Sequence, residues 1–210
     1  ELALEQYNQA LEIFREVGGR AGEGSTTNNI GLVYKNQGQY ELALEQYNQA
    51  LFIFGEVGDR AGEGTTLGNI GGIYRAQGQY ELALELYQKA LEIRREVGDR
   101  AGEGTTLGNI GLVYHNQGQY KLALELYQKT IEIYREVEDR AGEGSTTNNI
   151  GLVYDNQGQY ELALEQYNQA LEINREVGNR AGEGTTLGNI GSVYNNQGQY
   201  ELALEQYNQA

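Results

Sequence analysis

In 210 residues the sequence has no cysteine, no proline, no methionine, no tryptophan and a single histidine. Each gap excludes something. Without cysteine there is no disulfide framework and no thiolate, and the redox compartment leaves no mark on the chain. One imidazole and no thiol cannot supply the three or four converging donors of a zinc site. A Ser–His nucleophile needs a positioned third group that these residues do not offer. The absent methionine implies that the native first residue is missing from this stretch or was removed. No apolar run approaches the ~20 residues of a membrane-spanning helix, and no signal peptide opens the chain. A cytoplasmic protein is therefore expected. Basic residues are also scarce. Fifteen Lys and Arg face thirty Asp and Glu, a net charge of −15. Such a surface repels phosphate backbones and argues against nucleic acid as the main partner.

What is present is glycine (30 residues), tyrosine (17 residues) and repetition. The stretch ELALEQYNQA occurs verbatim from residues 1, 41, 161 and 201, and AGEGTTLGNI from residues 61, 101 and 181. The period is 40 residues, with copies starting at Glu1, Glu41, Glu81, Lys121 and Glu161 and a sixth running from Glu201 to Ala210. Each copy carries two helical patterns. Helix A, about 100–117 in the third copy, places Leu107, Ile110, Gly111 and Tyr114 on one face. Helix B, about 120–137, does the same with Ala123, Tyr127, Thr130, Ile131 and Tyr134. Gly118 and Gly98 read as left-handed caps that end A and B helices, and Asp99 reads as the N-cap of the next helix A. Gly19 and Asn179 fill that place elsewhere. Glu138 stands where a capping glycine is expected, so that helix should end less cleanly. Connections of two or three residues make successive helices antiparallel neighbours.

The spacing of Ile110, Gly111, Tyr114, Gly118, Tyr120, Ala123, Tyr127 and Thr130 resembles the signature of the tetratricopeptide repeat, and the match recurs along the chain. Two departures are visible. The family's frequent Trp early in helix A is Leu67, Leu107 and Leu187 here, or Thr27 and Thr147, and the usual closing Pro is missing. Each copy also exceeds the usual length of about 34 residues, as in the repeats of Pins-type G-protein regulators and of bacterial signalling proteins. The resemblance implies an all-α fold, a right-handed solenoid of antiparallel helix pairs whose A helices line a concave groove. The expected organisation is one array over 1–210: a helix B fragment at 1–18, pairs at 20–58, 60–98, 100–138 and 140–178, and a partial pair at 180–210. The resemblance also implies a non-catalytic scaffold that binds an extended peptide or partner segment, with no enzyme activity, cofactor or metal.

Helix A has a second stripe, Thr105, Asn109, Leu112 and Asn116, that its core face does not need. It would line the groove. Asn recurs there as Asn29, Asn69, Asn109, Asn149 and Asn189, one per copy, and again as Asn36, Asn116, Asn156 and Asn196, with Ala76 as the gap. An amide both donates and accepts, so a row of them suits the alternating N–H and C=O groups of an extended peptide. The alternative is that these amides bond neighbouring helices or water. One groove position changes its charge freely, as Lys35, Arg75, His115, Asp155 and Asn195; it is expected to set ligand register, or else to drift on a wet surface. Gly111 should serve helix contact, whereas Gly68, Gly72, Gly108 and Gly188 should keep the groove floor low. Two other uses compete with a peptide scaffold. One is a structural array that stacks end to end, since the terminal faces repeat residues that internal copies bury. The other is RNA reading, which would need a basic groove.

Overall fold

The computed structural model describes residues 2–210. It consists of α1 (Leu2–Glu16), α2 (Arg20–Asn36), α3 (Tyr40–Val57), α4 (Arg60–Ala76), α5 (Tyr80–Glu96), α6 (Arg100–Asn116), α7 (Tyr120–Glu136), α8 (Arg140–Asn156), α9 (Tyr160–Glu176), α10 (Arg180–Asn196) and α11 (Tyr200–Gln209), with no strand among the described residues. Even-numbered helices are the A helices and odd-numbered ones the B helices. The expected bounds of α6 and α7 are met to within one residue. The chain groups into two compact units, residues 1–106 and 107–210, and each builds its core in the same way.

Within a pair, a glycine of helix A sits under the ring of a tyrosine in helix B. A Cβ on Gly31 would lie 2.7 Å from the Tyr47 ring, on Gly71 3.0 Å from Tyr87, on Gly151 2.6 Å from Tyr167, and on Gly191 2.6 Å from Tyr207. The missing side chain lets the two backbones approach until the ring is enclosed; Tyr47 and Tyr167 are fully buried. In the first unit Ala43, Tyr47, Ile70 and Ile73 form the centre of a cluster closed by Tyr34, Tyr40 and Tyr74. In the second, Ala123, Tyr127, Ile131, Ile150 and Val153 form one cluster, and Ala163, Tyr167, Leu171, Leu187, Ile190 and Val193 another. The core stripe of α6 is wider than the sequence pattern suggests, because Val113 is fully buried beside Ile110.

The helix ends follow their local chemistry. Gly38, Gly58, Gly78, Gly98, Gly118, Gly158, Gly178 and Gly198 adopt left-handed conformations. Asp59, Asp99, Asp139 and Asn179 each accept a hydrogen bond from the backbone N–H three residues on, at 2.8–3.0 Å. Gly19 has no side chain to do so. The expectation of a ragged end at Glu138 is corrected. Helix α7 stops at Glu136, as α5 stops at Glu96 and α9 at Glu176, and the Asp139 N–H still reaches the Tyr134 carbonyl at 2.8 Å. Glu138 achieves this by taking a φ of 57°, a conformation that disfavours a side chain.

Candidate functional site

The stripe that helix A does not spend on its core stays partly open to solvent. Asn29, Asn69, Asn109, Asn149 and Asn189 are half-buried, Asn36, Asn116, Asn156 and Asn196 are exposed, and Lys35, Arg75, His115 and Asp155 are half-buried. Gly68 and Gly188 face open space, and a Cβ on Gly108 would meet Thr130 only at an ordinary 3.6 Å. The separation of glycines into a contact class and an open class is thus visible in the geometry.

Two members of the inner Asn row also tie repeats together. The Nδ2 of Asn69 donates to the Oδ1 of Asn28 at 3.2 Å, and the Nδ2 of Asn189 donates to the Oδ1 of Asn148 at 3.1 Å. The Asn28 carbonyl also accepts from the Thr66 hydroxyl at 3.1 Å. Asn28 and Asn148 occur where the other copies have Gly68, Gly108 and Gly188. The change from TTLGNI to STTNNI signals the difference in sequence, but its partner, one repeat away, depends on how adjacent A helices are offset. Each bridging amide spends one N–H; its second N–H and its carbonyl are left for another partner.

Around these rows lie two equivalent clefts. One, of about 210 Å³, is bordered by Ser25, Asn28, Asn29, Phe54 and Thr65 in the first unit. The other, of about 230 Å³, is bordered by Ser145, Asn148, Asn149, Asn174 and Thr185 in the second. The second is lined by hydroxyls and amides, which can donate and accept but carry no charge; the first adds the Phe54 ring and the Asp59 carboxylate to the same kind of lining. Further along the A helices, the Nδ2 of Asn156 lies 2.7 Å from the Nε2 of His115, whose ring tilts against Tyr120 at 5.8 Å. Burial lowers the His115 pKa, offset in part by a hydrogen bond with Asn116; the Asn156 amide N–H can only donate, so Nε2 is the acceptor in this contact. Burial raises the Asp155 carboxyl, and a hydrogen bond with Asn196 opposes that rise. The imidazole therefore touches amides and a phenol ring, a setting for hydrogen bonding and ring contact. Among the described residues no group of three His, Asp or Glu side chains is arranged to hold a metal ion, and no helix is long and apolar enough to cross a membrane.

Sequence reasoning overlooked one set of acids. Glu23, Glu103, Glu143 and Glu183, in the first turn of their A helices, are buried. Each is gripped by two arginines: Glu23 by Arg15 at 3.0 Å and Arg20 at 2.5 Å, Glu103 by Arg95 at 2.8 Å and by Arg100, Glu143 by Arg135 at 2.8 Å and by Arg140, and Glu183 by Arg175 at 2.8 Å and by Arg180. The equivalent Glu63 has Arg60 but faces Gly55 where the second arginine would be. Arg20, Arg60 and Arg140 also reach Glu56, Glu96 and Glu176 of the next helix B. These ion pairs tie the start of an A helix to the B helices before and after it and serve the fold.

The comparisons with known proteins agree with this architecture. A family model described as tetratricopeptide repeat matches residues 1–54, 62–136 and 142–210. No curated protein matches the sequence significantly. Among solved structures, BtubC from P. vanneervenii is similar over 100% of this chain and 88% of its own, with a TM-score of 0.81 at 20% identity. Aspartyl phosphate phosphatase F from Bacillus subtilis matches 95% of this chain over 53% of its own, with a TM-score of 0.78 at 20% identity. A putative kinesin light chain with nearly identical TPR-like repeats, from Podospora anserina, matches 88% over 92%, with a TM-score of 0.66 at 18% identity. At these identities the likeness concerns the fold alone.

Proposed function

The chain belongs to the tetratricopeptide-repeat family, and from that premise we propose that it is a non-catalytic scaffold whose A-helix face holds an extended segment of a partner protein. The observation that carries the reading is the inner Asn row. It recurs once in every copy, it is half-buried on a face the core does not use, and even its bridging members keep a carbonyl and an N–H unspent. Amides in that state suit a peptide backbone whatever its side chains, and the polar clefts beside them suit it as well. The test is a titration of display-selected peptides against Asn69→Ala, Asn109→Ala and Asn149→Ala. Each loss removes one or two hydrogen bonds worth ~0.5–1.5 kcal/mol net and is expected to weaken binding several-fold, and the triple variant should nearly abolish it. Glu85→Ala, at the exposed Glu85–Lys89 pair, should leave binding unchanged. A triple variant that folds and binds like the parent refutes the reading.

Stacking of copies end to end is the competing use. Light scattering over a concentration series separates the two: a scaffold stays monomeric without its partner, and an assembler grows.

A further inference from the structure

Among near-identical copies, one position on the A-helix face holds a different residue every time: Lys35, Arg75, His115, Asp155 and Asn195. In the first unit this places two cations on adjacent A helices. Burial, and then the nearby charge of Arg75, pull the Lys35 ammonium below the usual lysine range. The Nε of Arg75 is buried and makes no hydrogen bond. Among the described residues neither cation has a carboxylate partner. Scarcity of acid is not the cause, since Arg20 and Arg60 of the same unit each hold two carboxylates.

The floor beneath them is also exceptional. Copies one, three and four carry Leu32, Leu112 and Leu152, but the second copy carries Gly72. A Cβ on Gly72 would lie 3.5 Å from the Lys35 Nζ and 3.6 Å from the Tyr87 hydroxyl. A leucine would occupy the space above that phenol, and glycine leaves it open. Arg75 also touches the phenol electrostatically: burial raises the Tyr87 pKa, and the charge of Arg75 and a hydrogen bond with it oppose the rise. An ammonium, a guanidinium and a hydroxyl thus converge on one recess. Like charges that have lost water and lack a counter-ion are stabilised by an anion that enters between them. A carboxylate matches the planar fork of a guanidinium and accepts from the ammonium as well. The net charge of −15 opposes a run of acids, so the recess favours one isolated carboxylate.

We propose that Lys35, Arg75 and Tyr87, opened by Gly72, form a specificity site that selects a single Asp or Glu side chain of the bound peptide. This rests on the reading of the A-helix face as a peptide surface, and adds what that surface discriminates. A random-peptide display library is selected on the full chain, and each selected peptide is then resynthesised with its acids changed to Asn or Gln. The selected peptides are expected to share an acidic residue at a fixed offset. The amide change should weaken binding to the parent about tenfold or more, as for a charge-assisted hydrogen bond. It should make no difference to the Lys35→Gln/Arg75→Gln double variant. Gly72→Leu keeps both charges and copies a residue the fold accepts at three equivalent places, so it should lose the same discrimination; if it does not fold, the double variant decides alone. Peptides that bind the parent equally well as acid and as amide overturn the site while leaving the peptide surface intact. Failure to select any peptide removes both.

Discussion

A glutamate at a φ of 57° works against its own backbone. Glu138 holds the one non-glycine left-handed turn among the described residues, where a Cβ costs roughly 1–2 kcal/mol. Glu138→Gly should therefore raise stability by about 1 kcal/mol, read in a denaturant melt, with no change in peptide affinity. The glycines that contact tyrosine respond the other way. A Cβ on Gly111 would stand 2.7 Å from the Tyr127 ring, so even Gly111→Ala overlaps, and Gly111→Leu should destabilise by ~1–3 kcal/mol through overpacking. Gly108→Ala, in ordinary contact with Thr130 at 3.6 Å, should stabilise by roughly 0.5–1 kcal/mol through helix propensity. Melts of the two variants that shift in the same direction would contradict this assignment of faces. The glycine classes were legible in sequence because a helix wheel places residue 111 within the core stripe of Leu107, Ile110 and Tyr114 and residue 108, only ~60° away, at its edge. The bond from Asn69 to Asn28 was not, because local periodicity says nothing about which residue of the next helix stands opposite.

The A helices begin with an acid that a helix-propensity reading assigns to solvent. A glutamate in the first turn favours the helix dipole wherever it points, so its burial had no local signature. The signal was non-local: an arginine eight residues earlier in four copies and Gly55 in the other. Burial alone would raise the pKa of Glu103, but hydrogen bonds from Arg95 and Arg100, with their charges, outweigh it and hold the carboxyl below its ordinary value of 4.5. Such a group stabilises the fold fully above its unfolded-state pKa, and this contribution fades as pH falls through the lower folded-state value. Glu103→Gln should melt below the parent at pH 7, and the gap should close as the pH falls below about 4.5, the ordinary value of the carboxyl. A gap that persists in acid would mean that the pair contributes packing rather than charge. The second copy offers the complementary change. Gly55 lies in the last turn of α3, and a Cβ there would stand 3.9 Å from the Glu63 Oε1. Gly55→Arg removes a helix glycine and supplies the absent partner, so the melt should gain about 1 kcal/mol.

At the scale of the whole chain, the Gly–Tyr seat has a consequence for how such a protein changes over generations. The seat is the same at residues 31 and 47, 71 and 87, 151 and 167, and 191 and 207, so any A helix can dock the B helix of any other copy. Removing residues 81–120 would bring Gly71 onto Tyr127 and leave a chain one period shorter with every helix still paired. That deletion variant should fold, with an unchanged helical signal per residue by circular dichroism. A gene with near-identical segments slips readily during recombination, and here each slip adds or deletes a complete folding module rather than a fragment. The repertoire of residues displayed at the variable A-helix position can therefore be reshuffled wholesale, without passing through an ancestor that could not fold.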